Sequence, residues 1–234
     1  ASEIGKRAGS RALGKVGAKK INTKKIPVIF EAPVASGILK HFVSAVSGGN
    51  LYRQQSFLKG KVGEVVFPEF ISIEEDPFVR RGLSSTVFDN EGVQATQRSV
   101  VSSGRLEGLF LSTYSAKKLG LATTGNAGGA HNLFVRSSGA THEFSDLLKM
   151  MGTGFLVTDL LGHGTNMVTG DYSRGASGFW VENGEIVHPV QEVTVAGNLK
   201  DMFKAISAIG NDVLSRSSFK VGSILIDSMT VGGE

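Results

Sequence analysis

The chain has 234 residues, 41% of them hydrophobic and 20% charged, with no cysteine. That is enough for one large domain or two small ones with a genuine core, and it excludes global disorder, disulfides, thiolate metal ligands and a cysteine nucleophile. The formal charge of +4 belongs to one end, because Lys6, Arg7, Arg11, Lys15, Lys19, Lys20, Lys24 and Lys25 crowd the first 25 residues against Glu3, and the remainder is acidic on balance.

In that arm, residues 3–18 read as a helix ending near Gly17. Ile4, Ala8, Ala12 and Val16 recur every four residues, so one face can pack while the cations stay in water. The other reading is a nucleic-acid grip, since clustered cations give non-specific affinities of roughly 10⁻⁴–10⁻⁶ M. "IPVIFE", 26–31, is a strand. Pro33 opens a helix with apolar Val34, Ile38, Leu39, Phe42, Val43 and Val46, and Gly48 and Gly49 stop it.

Strand grammar then takes over. "STVFDNEGVQATQRSVV" predicts two strands about a turn at Asn90-Glu91-Gly92, and "GRLEGLFL" predicts another strand. "STYSAKKLG" predicts a short helix capped by Ser112 and ended by Gly120. "HNLFVRS" and "GFLVTDLL" are strands flanking a helix at "EFSDLLKMM". "GFWVENGEIVHPV" is a hairpin with Asn183-Gly184 at its tip and Trp180 in the core. "NLKDMFKAISAI" is a helix capped by Asn198, with Asp201 in its first turn, and "SILIDSMTV" is the last strand. Thirty-one glycines, about twice the usual ~7% share, cluster between these runs. The pattern predicts an α+β fold: a mostly antiparallel sheet or partial barrel, a few helices and glycine-rich connections. No stretch approaches the ~18 apolar residues of a membrane span, and the first residues lack a signal-peptide core. Together with the missing cysteines this points to the cytoplasm.

Familiar catalytic motifs are missing. There is no G-x-S-x-G elbow and no phosphate loop; "TTGNAGGAH", 123–131, has glycines but no lysine, and reads as a close approach of two backbones. His41, His131, His142, His163 and His188 include no pair at helical i,i+4 spacing. His142-Glu143 begins like a zincin helix, but Asp146 stands where the second histidine belongs. A metal site gathered from distant histidines stays open.

Six segments, "ASGILKHFVSAVSGGNLYRQQSFLKGKVGE", "STVFDNEGV", "STYSAKKLGLATTGNAGG", "VTGDYSRGASGFWVENGEI", "EVTVAGNLKDMFKAISAIGND" and "DSMTVGG", occur in an order that resembles the C-terminal portion of the PmbA/TldE branch of the TldD/PmbA metallopeptidase family, from about Ile21 to Gly233. The resemblance implies a preceding α/β domain, so that residues 1–25 are a basic helix and linker from that missing domain and residues 26–234 are a β-rich C-terminal domain. The absence of an initiator methionine fits that division.

In the TldD branch the resemblance implies a zinc peptidase with H-E-x-x-x-H on the helix before a "VGE" segment. Counting back from Val62-Gly63-Glu64, Lys40 and His41 stand in the histidine and glutamate columns and Ala45 in the second histidine column. The branch's cysteine ligand before "TVGG" is also unmatched. His41 therefore reads as a partly exposed helix residue. The resemblance implies a non-metal-binding subunit, inactive alone, that works with a TldD-type zinc-bearing partner or forms a homodimer. It implies no cofactor on this chain and zinc on the partner. The substrates implied are unfolded peptides: leader segments of peptide antibiotics and an unstable antitoxin. The family's older label, modulator of DNA gyrase, implies no DNA contact.

On that basis the loop around 170–178 is the candidate peptide-holding segment, through Asp171, Tyr172, Ser173, Arg174, Gly175, Ala176, Ser177 and Gly178. Gly170, Gly175 and Gly178 leave room for a second backbone, and residues 175–181 offer a strand edge for main-chain hydrogen bonds of ~0.5–1.5 kcal/mol each. Tyr172 can cover an apolar side chain, Arg174 can meet a carboxylate, and Asp171 can hold an Asx-turn. The bland reading is a connector between two strands.

Overall fold

The computed structural model describes residues 2–233. In chain order its elements are α1 (Ser2–Leu13), β1 (Lys24–Phe30), α2 (Ala32–Ala45), α3 (Gly48–Tyr52), β2 (Ile71–Asp76), β3 (Arg98–Ser102), β4 (Arg105–Leu106), α4 (Thr113–Leu119), β5 (Asn132–Ser137), α5 (Phe144–Met151), β6 (Gly154–Leu161), β7 (Asp171–Glu182), β8 (Glu185–Asn198), α6 (Leu199–Lys204), β9 (Ile206–Ile209), β10 (Phe219–Lys220) and β11 (Ile224–Gly232). The fold is α+β, as the alternation of strands and short helices predicts.

Five strands close on themselves. β1 lies parallel to β6, and β6–β7, β7–β8, β8–β11 and β11–β1 are antiparallel. The edge of β11 away from β1 is shared: β9 takes Ile224–Ile226, and β8 takes Thr230–Gly232. A second sheet runs β10-β5-β2-β3-β4. Closing the ring removes the free edges that an open sheet would expose.

Strict alternation sorts the ring's residues into two cores. Val28, Phe30, Phe155, Val157, Ile224 and Ile226 join the larger core, onto which α2 lays Ile38, Leu39 and Phe42. Ile29, Leu156 and Leu225, one step out of phase, meet Leu147, Leu148 and Met151 of α5. Each such side chain contributes about 1.5–3 kcal/mol by leaving water. The β7–β8 hairpin turns at Asn183 and Gly184, with φ of 53° and 79°, the left-handed pair that a two-residue hairpin requires. Ser112 caps α4 by accepting from the Ser115 N–H, and Gly120 ends it at φ 70°, as the sequence indicates.

Other expectations are corrected. The apolar stripe of α1 is not buried: no α1 residue is, and Ile4 is 59% exposed. Polar anchors hold the arm instead, with Arg11 gripping Glu31 at 2.8 and 2.6 Å and Lys15 meeting Asp159 at 2.6 Å. The helix opened by Pro33 ends at Ala45, and Gly48 starts α3 rather than stopping α2. The turn at residues 89–92 exists because Asp89 Oδ1 accepts from the Glu91 and Val93 N–H groups, but only a single bridge, Phe88 with Gln94, flanks it. "GRLEGLFL" forms a ladder only at Arg105–Leu106. The stretch 198–209 divides into α6 and β9, because Ile206 pairs with β11.

Candidate functional site

The loop expected at 171–178 is the first two-thirds of β7, a twelve-residue strand. Asp171 to Ala176 pair with β8. On the opposite edge, Gly175 to Val181 pair with β6, while Thr165 bridges Tyr172 and Ser173 donates to the Gly164 carbonyl at 2.7 Å. Both edges are therefore occupied by the chain's own backbone, and the expected free edge at 175–181 does not exist. The glycines serve that internal contact. A Cβ on Gly178 would collide with the Leu156 carbonyl oxygen, so the room that glycine leaves is filled by β6.

Alternation along β7 then assigns the side chains. Tyr172 and Ala176 point into the core, with Tyr172 only 1% exposed, so Tyr172 does not present a cover for a ligand. Asp171 and Ser173 face solvent. Asp171 is no Asx acceptor: its carboxylate receives the Thr169 hydroxyl at 2.6 Å and the Asn198 amide at 3.0 Å, and both hold its pKa below the usual range. The Asx role falls to Asn166, whose Oδ1 accepts from Val168 at 2.9 Å and Thr169 at 3.3 Å. Trp180 is buried as expected, its indole N–H donating to Glu182 at 2.7 Å beneath the Lys24 ammonium.

Arg174 is different. It is half-buried and lines a pocket of about 230 Å³ with His41 and Ser44 from α2 and His163, Thr165 and Met167 from the segment after β6. The His41 ring stands edge-on to Tyr172, with centroids 5.8 Å apart. Burial pushes the His41 pKa down, and the Arg174 charge pushes it the same way. Burial raises the Tyr172 phenol to about 12 despite the opposing pull of Arg174. Two buried polar atoms of the lining residues have no hydrogen-bond partner, Arg174 Nε and Thr165 Oγ1. Such atoms are costly unless something satisfies them.

The sequence does not pair His41 with His163, because 122 positions separate them; only the packing of α2 against the β6–β7 connection does. Elsewhere, His142 precedes α5 as part of a bridge to Gly210, and Glu143 caps that helix, donating its N–H to Asp146 at 3.0 Å. Among the described residues no three His, Asp or Glu side chains are grouped to hold a metal ion. The pocket offers two imidazoles beside a guanidinium, whose charge repels a cation, and this donor set does not fit zinc, which takes three or four N, O or S ligands.

A second polar centre was invisible in the sequence. Glu75, fully buried, accepts from the His131 N–H at 2.8 Å, His131 Nδ1 at 2.9 Å, Asn126 Nδ2 at 2.7 Å and Arg98 Nε at 2.8 Å. Burial alone would raise its pKa; His131 and Arg98 outweigh that and hold it low. The network pins the glycine-rich 123–131 segment. There Gly125, at φ 67°, leaves no space for a Cβ, which would stand 2.6 Å from the Gln94 carbonyl. This is the close backbone approach that the glycines predicted.

Comparison with known proteins places this geometry in context. Residues 23–233 match the family model described as the PmbA/TldA metallopeptidase C-terminal domain. The chain is 48% identical over 230 residues to the metalloprotease PmbA homolog of Haemophilus influenzae, covering 98% of this chain and 51% of that protein. A crystal structure of a candidate modulator of DNA gyrase from Bacteroides thetaiotaomicron superposes with a TM-score of 0.92 at 31% identity, over 98% of this chain and 52% of that one. TldE from Thermococcus kodakarensis shares the fold, with a TM-score of 0.85 at 24% identity over 99% of this chain and 55% of that one. The chain thus spans about half the length of the relatives it matches.

Proposed function

We propose, from the premise that this chain belongs to the PmbA/TldD metallopeptidase family, that it is the C-terminal part of a non-metal-binding subunit that holds unfolded peptides for a zinc-bearing TldD-type partner to cut. Residues 1–25 are then the arm leading from a preceding domain, and residues 26–234 the peptide-holding domain. The observation that carries the reading is the His41–Ser44–His163–Arg174 pocket. It lies on α2, the helix on which the family resemblance places the zinc motif, and it presents hydrogen-bond donors and one cation where a metal set would need further ligands.

With both edges of β7 taken, holding relies on side chains at the pocket, not on strand addition. Arg174 is the member of the candidate segment that reaches it; Asp171 and Ser173 face solvent and are not among its lining residues. A cytoplasmic setting is part of the same proposal. Among the described residues no helix is long and apolar enough to cross a membrane. The nucleic-acid alternative has no support here, and two of the arm's cations, Arg11 and Lys15, are paired with Glu31 and Asp159.

The test uses the full-length protein. Its zinc content is measured by plasma mass spectrometry, and cleavage of an unstructured peptide is followed with and without an H-E-x-x-x-H partner. The expected result is zinc far below one per chain and hydrolysis only in the mixture. One tightly held zinc per chain, with cleavage by the lone protein that stops when the metal is stripped, overturns the proposal.

A further inference from the structure

We infer that the pocket between α2 and the β6–β7 connection is a carboxylate-binding site, with Arg174 as its cation and Thr165 as a hydroxyl donor. The inference deepens the peptide-holding reading and rests on it for the identity of the ligand as a peptide. It comes from two atoms that are otherwise unexplained. Arg174 Nε and Thr165 Oγ1 are buried and have no partner, although buried polar groups in folded proteins are almost always satisfied. Arg174 Nε can only donate, the Thr165 hydroxyl can donate, and both residues line one pocket. A pair of unsatisfied donors is complementary to an acceptor-only group, and an ionised carboxylate is such a group.

Charge points the same way. None of the seven residues lining the pocket is acidic. Among the described residues no carboxylate comes within ion-pair distance of Arg174, whereas Arg11, Arg98 and Arg136 each have one. The nearest β7 acid, Asp171, is engaged by Thr169 and Asn198. The planar guanidinium suits a carboxylate's two oxygens. The Ser44 hydroxyl and the imidazoles of His41 and His163 complete a polar wall, and Met167 adds an apolar one. With a volume of about 230 Å³, the pocket has room for a chain terminus or one acidic side chain. A single fixed cation, with His41 held toward its neutral form, matches a monoanion better than a doubly charged phosphate.

Two sources share this chemistry, the C-terminal carboxylate of a peptide and an internal Asp or Glu. The experiment measures binding of three peptides to the full-length protein by calorimetry: N-acetyl-pentaalanine as the free acid, the same peptide as its C-terminal amide, and the amide with a central glutamate. Preference for either acid-bearing peptide over the plain amide by about tenfold or more supports the site, as expected for a charge-assisted hydrogen bond. Which of the two is preferred names the source. Arg174→Gln should abolish the preference, and Thr165→Val, which keeps the cation, should weaken it by several-fold; melting temperatures of both variants verify folding. Equal binding of all three peptides overturns the carboxylate site and leaves peptide holding intact. If no peptide binds, peptide holding falls, and succinate followed by NMR at the His41 imidazole decides the site alone. A saturable shift that Arg174→Gln removes supports it, and no shift overturns it.

Discussion

Replacing Glu75 by glutamine keeps the side chain's shape and removes its charge, which isolates the electrostatic contribution of the buried network. Glu75 Oε1 receives three donors, from Asn126 and from the His131 backbone and ring; Oε2 receives one, from Arg98. A glutamine therefore turns its oxygen toward the three donors and its NH₂ toward the guanidinium. One charge-assisted bond, worth about 1.5–3 kcal/mol, is lost and replaced by a donor facing a donor. Arg98 keeps a weaker bond to Asn126 Oδ1 at 3.1 Å and its place over Phe110. The expected loss is about 2–4 kcal/mol for Glu75→Gln, and about 3–5 kcal/mol for Glu75→Ala, the range for breaking a buried ion pair.

Urea unfolding of the full-length protein measures this loss as a lower midpoint at unchanged m. Limited proteolysis should show residues 123–131 opening first. The acid limb gives a second reading. Because the folded pKa of Glu75 lies below its ordinary value of 4.5, its contribution is complete above 4.5 and disappears as pH falls through the lower, folded value. Glu75→Gln should flatten stability against pH in that window. A glutamine variant within about 0.5 kcal/mol of the parent, the scatter of ordinary surface substitutions, would refute the reasoning.

Further expectations concern β7 and its pocket. Gly178→Ala should cost about 1–3 kcal/mol or more by overpacking against the Leu156 carbonyl. Gly175→Ala, whose Cβ meets Leu161 at a tolerable 3.4 Å, should stay within about 1 kcal/mol; thermal midpoints in the reverse order contradict the β6–β7 pairing. Arg174→Met should raise the His41 pKa toward, but not up to, 6.5, since burial remains. An NMR titration that shows no change separates the two groups. Since the folded His41 pKa is depressed, this residue contributes stability above 6.5 that is lost as pH falls through its folded value. Ser112→Ala should cost about 1 kcal/mol through the lost α4 cap, read from urea midpoints.

Much of the candidate site was hidden from a linear reading. Arg174 was legible as a polar residue between glycines, but its neighbours were not, because His41, His163 and Thr165 come from other elements. Glycines on both sides of "DYSR" suggested a loop. In the fold they are strand positions where β6 approaches too closely for a side chain, and local propensity yields to pairing on both edges. Tyr172, offered to a ligand on the loop reading, turned inward once strand alternation applied.

What the amino-acid order determined alone was local: the Asn183-Gly184 turn, the Ser112 and Asn198 caps and the family motifs. Each depends on backbone chemistry within a few residues or on a recognisable run of sequence. Only the tertiary structure decided that five strands close into a ring, that the α1 stripe stays uncovered by the described residues, and that Glu75 gathers Asn126, His131 and Arg98. It also decided that Arg174 and Thr165 line one pocket with His41 and His163. Those outcomes depend on contacts between residues tens to hundreds of positions apart, which form only when whole elements pack and exclude water, and no short window of sequence encodes that.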